Sequence, residues 1–237
     1  MTRRFYQCLS AGMSVVCLLI ATSQPVSATI VFDDHFDGNS GGIPEGWHLL
    51  FGPGWAQEAG TIVTLCGDVA ILSDAFLDPS QGTVAVTTDI SGTDSEYGID
   101  VGLVEPQTWN RFLCKLFPSG ELSIRVADLD GGEQYYVAGT LNEYTGGAIR
   151  VTLVLEPTAF TVSTDSPPFS SGPISYTAVF PTFTREDLGS AVNAALGNDV
   201  VETGTGCSGV DRITVEAESP TPVENISFGQ VKALFRR

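Results

Sequence analysis

Carboxylates and aromatic rings are the residues of this sequence best suited to chemistry. Asp33, Asp34 and Asp37 cluster early, and Asp128, Asp130 and Glu133 surround Gly131-Gly132 in one short segment. Hard oxygen donors this close together suit calcium, which takes about 6 to 8 oxygens, although the second cluster is shorter than an EF-hand loop. Aromatic side chains offer flat apolar faces with a polar handle, the surface a sugar ring stacks on. Trp55 lies in a Gly-Pro-Gly-Trp loop and Trp109 precedes a strand after Pro106. Adjacent Tyr135 and Tyr136 must point to opposite faces of any strand that holds them. Trp55, Trp109, Tyr135 and Tyr136 are therefore the candidate ligand-binding residues, whereas Trp47 suits a core. His35 and His48 belong to no nucleophile motif, and the sequence has no Gly-x-Ser-x-Gly, no His-Glu-x-x-His and no phosphate loop. No catalytic residue is expected.

The elements that must position these residues are mostly strands. From Thr29 onward short alternating apolar runs are separated by Gly, Pro, Asp and Ser, the pattern of half-buried antiparallel strands. The clearest are 83–90, 97–104, 149–155, 159–164, 174–180 and 210–216. Phe112, Cys114 and Leu116 alternate with Arg111 and Lys115, and Pro118-Ser119-Gly120 turns that strand into 121–127, which predicts a hairpin. Leu188, Ala191, Val192, Ala195 and Leu196 instead follow a helical period. Thr184 with Asp187 makes a capping box and Gly197 can close the end, so a helix is predicted over 185–196. About a dozen strands and one short helix suit an all-β, two-sheet antiparallel sandwich.

Composition sets the compartment. Arg3 and Arg4, an apolar run from Ala11 to Ala21 and the small residues Val26-Ser27-Ala28 make residues 1–28 a secretory signal peptide. The apolar run is too short for a membrane-spanning helix, which needs about 20 residues. No later segment is apolar and long enough to span. Loss of the signal leaves 9 basic against 28 acidic groups, a net charge of −19. Such a field repels polyanions, so nucleic acid is excluded as a partner. Cys66, Cys114 and Cys207 remain in an oxidising compartment, where one disulfide plus one buried thiol is the simplest arrangement. The spacing leaves the pairing open. Residues 29–218 form the domain, and 219–237 are a proline-containing linker and basic tail bearing Lys232, Arg236 and Arg237.

Two short motifs carry a resemblance. Val31-Phe32-Asp33-Asp34-His35-Phe36-Asp37-Gly38, followed by Pro44-Glu45-Gly46-Trp47, resembles the opening of concanavalin A-like, laminin-G-like jelly rolls. Gly209-Val210-Asp211-Arg212-Ile213-Thr214-Val215 is similar to the last strand of that superfamily, which lies beside the first. The resemblance implies a jelly-roll sandwich and a calcium ion bridging first and last strands through Asp211 with Asp33 and Asp34. It also admits β-glucanases, which carry a Glu-x-Asp-x-x-Glu strand placing two carboxylates on one face. Here Glu96-Tyr97-Gly98-Ile99-Asp100 is followed by Val-Gly-Leu, and Glu105 is offset to the other face. The expected function is a secreted or cell-surface, non-catalytic module that binds carbohydrate or another extracellular ligand. A glycoside hydrolase with an unrecognised carboxylate pair and a structural surface or matrix protein are the alternatives. The ending from Thr221 to Arg237 resembles short C-terminal tags of exported bacterial proteins, which implies sorting or surface attachment.

Overall fold

The structure, a computed structural model, describes residues 28–38, 40–79, 82–93, 98–127, 132–198 and 206–218. Residues 1–27, where a signal peptide is expected, Asp128, Asp130 and the tail from 219 lie outside the described residues. The period-2 runs fold as expected into two antiparallel sheets. One sheet holds β1 (Thr29–Asp34), β3 (Trp55–Ala59), β4 (Ile62–Cys66), β6 (Val84–Thr93), β11 (Ile149–Leu155), β12 (Ala159–Asp165), β13 (Pro168–Ser170), β14 (Ile174–Ser175) and β16 (Cys207–Ala217). The other holds β2 (Trp47–Phe51), β5 (Val69–Leu77), β7 (Ile99–Val104), β8 (Arg111–Leu116), β9 (Glu121–Ala127), β10 (Glu133–Thr140) and β15 (Val192–Asn198). Its order is β10-β9-β8-β7-β15-β5-β2.

Alternation decides which residues meet between the sheets. Val84, Val86 and Ile90 of β6 and Val151, Leu153 and Leu155 of β11 face Ile99, Val101 and Leu103 of β7 and Leu122, Ile124 and Val126 of β9 in one buried core. Each large side chain contributes roughly 1.5–3 kcal/mol by leaving water. Phe112 sits among Phe160 (5.1 Å between ring centres), Tyr176 (5.7 Å) and Phe183 (5.8 Å). Trp47 is buried, as expected, and packs edge-on to Phe32 at 5.8 Å. The first and last strands pair from Thr29↔Ala217 to Asp34↔Ile213, and the β8–β9 hairpin turns through Gly120 at φ +85°. Cys66 and Cys207 are direct partners of β4 and β16 and form a disulfide, while Cys114 is a buried thiol.

Two expectations are corrected. The helix over 185–196 is a single 3-10 turn, Arg185–Leu188, followed by β15 in the middle of the second sheet. The capping box is present between Thr184 and Asp187, but Gly189 at φ +70° ends the turn. All seven residues of β15 are buried. A strand covered on both faces carries apolar residues at odd and even positions alike, so spacings of three and four occur without a helix. The strand expected over 174–180 stops at Ser175, and Tyr176–Val179 is a one-turn helix, the short α1. Tyr176 and Phe180, four apart, both enter the aromatic cluster around Phe112. On a strand they would share a face but stand roughly 13 Å apart, and one helical turn brings them to about 6 Å along the axis, so both rings reach Phe112.

Candidate functional site

The site is a cleft on the outer face of the second sheet, and strand register builds it. Phe51, Ala70, Gly197, Asp100, Lys115, Ser123 and Val137 stand opposite one another in one row across seven strands. The next row runs His48, Leu72, Ala195, Gly102, Leu113, Arg125 and Tyr135. Ala70, Gly197, Ala195 and Gly102 are the smallest side chains in these rows and lie side by side on β5, β15 and β7. They leave a trough between bulkier flanks. The resulting cleft encloses about 110 Å³, several times the roughly 10–15 Å³ that one water needs. Its floor is a separate apolar cluster of Leu72, Val104, Leu113 and Ala195, with Leu50 packed against it.

One flank is aromatic. Phe51 and Trp109 are both about two-fifths exposed with ring centres 6.1 Å apart, and both line the cleft. Trp109 is held at φ +67°, a left-handed conformation that costs a bulky residue roughly 1–3 kcal/mol and persists where surroundings over-determine it. The surroundings here centre on Glu105. Its backbone carbonyl accepts the Trp109 N–H at 2.9 Å, and its buried carboxylate accepts the Gln107 N–H at 3.1 Å together with the N–H and hydroxyl of Thr108. Asn110 donates its side-chain amide to the Asp187 carbonyl, tying this loop to the 3-10 turn.

The other flank is charged. Arg125 reaches Asp100 at 3.1 Å and Glu133 at 2.9 Å, Arg111 reaches Glu133 at 2.5 Å, and Lys115 lies 3.8 Å from Asp100. The Arg125 guanidinium sits 5.3 Å from the centre of the Tyr135 ring, and the Tyr135 hydroxyl donates to Glu133. Burial pushes the Glu133 carboxyl up, but hydrogen bonds from Tyr135 and Arg111 and the charges of both arginines outweigh it. The net result holds Glu133 down at about 2. A carboxyl held this low is ionised near neutral pH, the form that accepts hydrogen bonds and pairs with arginine.

Of the aromatic residues singled out by sequence, Trp109 and Tyr135 share this face. Trp55 is exposed on β3, in the other sheet opposite Cys66. Tyr136 points inward, its ring 6.4 Å from those of Phe160 and Phe180. Phe51, Arg111, Arg125 and Gly197 line the cleft without having been singled out. The available signal was Arg111 and Arg125 at outward positions of two hairpin strands in a domain with few basic residues.

The acidic residues expected to hold calcium are placed otherwise. Asp33 forms a two-point pair with Arg212, both contacts at 2.8 Å, and accepts from Thr214 at 3.0 Å. Those Arg212 hydrogen bonds draw its carboxyl below the usual range against the opposing effect of burial. Asp34 accepts the Trp47 indole N–H at 2.7 Å and the Phe36 N–H at 2.8 Å. Asp211 lines a shallow depression with Asp89, Arg150 and Asp165. Burial pushes its carboxyl up, partly offset by a hydrogen bond with Ser91. Among the described residues no three Asp, Glu, His or Cys side chains converge on one point. Asp33 and Asp34, as neighbours on β1, face opposite ways, and Asp33 already faces a cation, so this donor set does not fit calcium. Excess chelator is expected to leave the melting temperature unchanged; a drop of several degrees, restored by calcium, would return the ion to the strand junction.

Comparison with solved structures identifies the architecture. An inactivated mutant of β-agarase B in complex with agaro-octaose superposes with a TM-score of 0.62 at 11% identity, covering 82% of this chain and 95% of that one. The fold is a concanavalin A-like jelly roll. The jelly roll also matches a β-1,3-1,4-glucanase (lichenase) derived from a mouse hindgut metagenome, with a TM-score of 0.51, 9% identity and coverage of 78% and 97%. The carbohydrate recognition domain of Emp47p matches with a TM-score of 0.50, 10% identity and coverage of 82% and 99%. No protein-family model and no curated protein matches the sequence of this jelly roll. Among the described residues no helix is long and apolar enough to cross a membrane.

Proposed function

We propose that this jelly roll is a secreted, non-catalytic module whose cleft on the seven-stranded sheet binds carbohydrate. The Phe51–Trp109 wall carries the reading: two exposed rings beside an apolar trough, one of them held at left-handed φ in a loop that buried Glu105 ties together. Neighbours of the same fold include an agarase bound to agaro-octaose and a carbohydrate recognition domain, which supports a sugar as the guest. Neighbours that are hydrolases raise the second reading, a glycan-cleaving enzyme using Asp100 and Glu133. Both of those carboxylates are held by Arg125, and Glu133 is held ionised, which speaks against Glu133 as the acid of a retaining or inverting pair.

A glycan array run in parallel with a reducing-sugar assay separates the two. Binding without release of reducing ends is expected, and release that is lost in Asp100→Asn or Glu133→Gln would establish the enzyme instead. Gly197→Val tests the cleft itself. A Cβ at Gly197 meets its nearest neighbours, Ala70 and Asp100, at an ordinary 3.6 Å, and valine suits a strand. The variant is expected to keep its melting temperature within about 3 °C, a shift of about 1 kcal/mol or less for a domain this size. It should also lose at least about tenfold in glycan affinity, or roughly 1.4 kcal/mol. Unaltered affinity would place the sugar elsewhere, with exposed Trp55 as the next candidate.

A further inference from the structure

We infer that the ligand of this cleft is an acidic sugar, one whose carboxylate or sulfate group is held by Arg111 while its ring lies against Trp109. The inference rests on the cleft being a glycan site. Residues 29–219 contain 6 basic side chains against 27 acidic ones. Three of those six, Arg111, Lys115 and Arg125, stand at outward positions of the adjacent strands β8 and β9, on one face of one sheet. Arg150 and Arg212 serve the opposite sheet in pairs with Asp89 and Asp33, and Arg185 is buried. A chain this short of cations has placed half of them on one face of one sheet, and two of these, Arg111 and Arg125, line the cleft.

Arg111 has the geometry to recognise an anion. Its side chain is one-quarter exposed, it lines the same cleft as Phe51 and Trp109, and its ion pair runs through Nη2 to Glu133. A guanidinium presents five N–H donors in a planar fork that matches carboxylate or sulfate oxygens in pairs. Glu133, itself paired with Arg125, restrains the Arg111 guanidinium, so little freedom is lost when a ligand arrives. The strongly negative remainder of the domain does not cancel this attraction. Charges beyond about 8 Å are largely screened at physiological ionic strength. A nucleic acid, with a phosphate charge every 1.7 Å or so of duplex, would meet the acidic surface all along its length, whereas one acidic sugar unit need reach only the cleft, where Arg111 and Arg125 stand with Asp100 and Glu133.

Calorimetric titration of the mature domain with three octasaccharides tests this: neutral agaro-octaose, oligogalacturonate bearing carboxylates, and a sulfated carrageenan fragment. At least one anionic probe is expected to bind about tenfold or more tightly than agaro-octaose, and which one identifies the acidic group. Arg111→Gln should remove most of that advantage, and Arg111→Lys, which keeps the charge and loses the fork, should restore part of it; melting curves of both variants confirm folding. Agaro-octaose binding as tightly as the anionic probes, with the same ratio in Arg111→Gln, would overturn the inference and leave the glycan site standing. Failure of all three probes to bind, or binding that is indifferent to Trp109→Ala, would overturn the glycan site and this inference together.

Discussion

Replacing Cys66 and Cys207 together by alanine is expected to lower the unfolding free energy by about 4 kcal/mol, in the upper part of the range for native disulfides. The bridge joins positions 141 residues apart, and closing so long a loop removes much of the freedom of the unfolded chain. The two cysteines are already direct partners across β4 and β16, so in the folded state the bridge restrains strands that pair anyway. Domains of this kind are stable by roughly 5–15 kcal/mol in total, which makes the bridge a sizeable share. Cys114 cannot substitute as a partner, because it is fully buried and burial pushes its thiol far above neutral pH. Urea unfolding of the double variant against the oxidised parent measures the difference. A loss below about 1 kcal/mol would mean that the unfolded chain is already compact enough for the bridge to matter little.

Gly102→Ala is expected to cost about 3–5 kcal/mol and to remove the cleft with the stability. Gly102 lies mid-strand in β7 at φ +157°, and a Cβ there would sit 2.2 Å from the carbonyl oxygen of Phe112 and 3.0 Å from the Leu113 Cα. Both atoms are backbone of β8, the strand paired directly with β7. No rotamer change relieves such a clash; the two central strands must move apart, and their ladder hydrogen bonds with them. Gly197→Ala is the control, since it adds the same methyl to the next strand with nothing closer than 3.6 Å. It should change stability by less than about 1 kcal/mol, in either direction. Equal unfolding curves for the two variants would contradict the close approach of β7 to β8.

The sequence alone reached the strand content, the β8–β9 hairpin and the buried Trp47, and the resemblance of its first and last motifs to jelly rolls implied the pairing of those two strands. Alternation, turn residues and short motifs are written in neighbouring positions, and the backbone's period of two translates them directly into faces. That the two tyrosines point apart follows from their adjacency and nothing else. Sequence failed where burial is complete: residues 192–198 are covered on both faces, so their apolar pattern no longer distinguishes strand from helix. It also could not show that Asp33 would meet Arg212 and Thr214, about 180 positions away, in place of a cation.

The cleft belongs wholly to the tertiary structure. Phe51, Trp109, Arg111, Gly197 and the pair Arg125–Glu133 come from five strands and one loop spread over nearly 150 residues. Each is unremarkable in its own segment. What joins them is register, set when β15 inserts between β7 and β5 and brings Gly197 and Ala195 between the rows of those strands. Register in a sheet is chosen by which apolar faces reach the core together, a property of every strand at once. The sequence determined that there would be strands with an outer face; the packing of the inner face decided which residues that outer face would bring side by side.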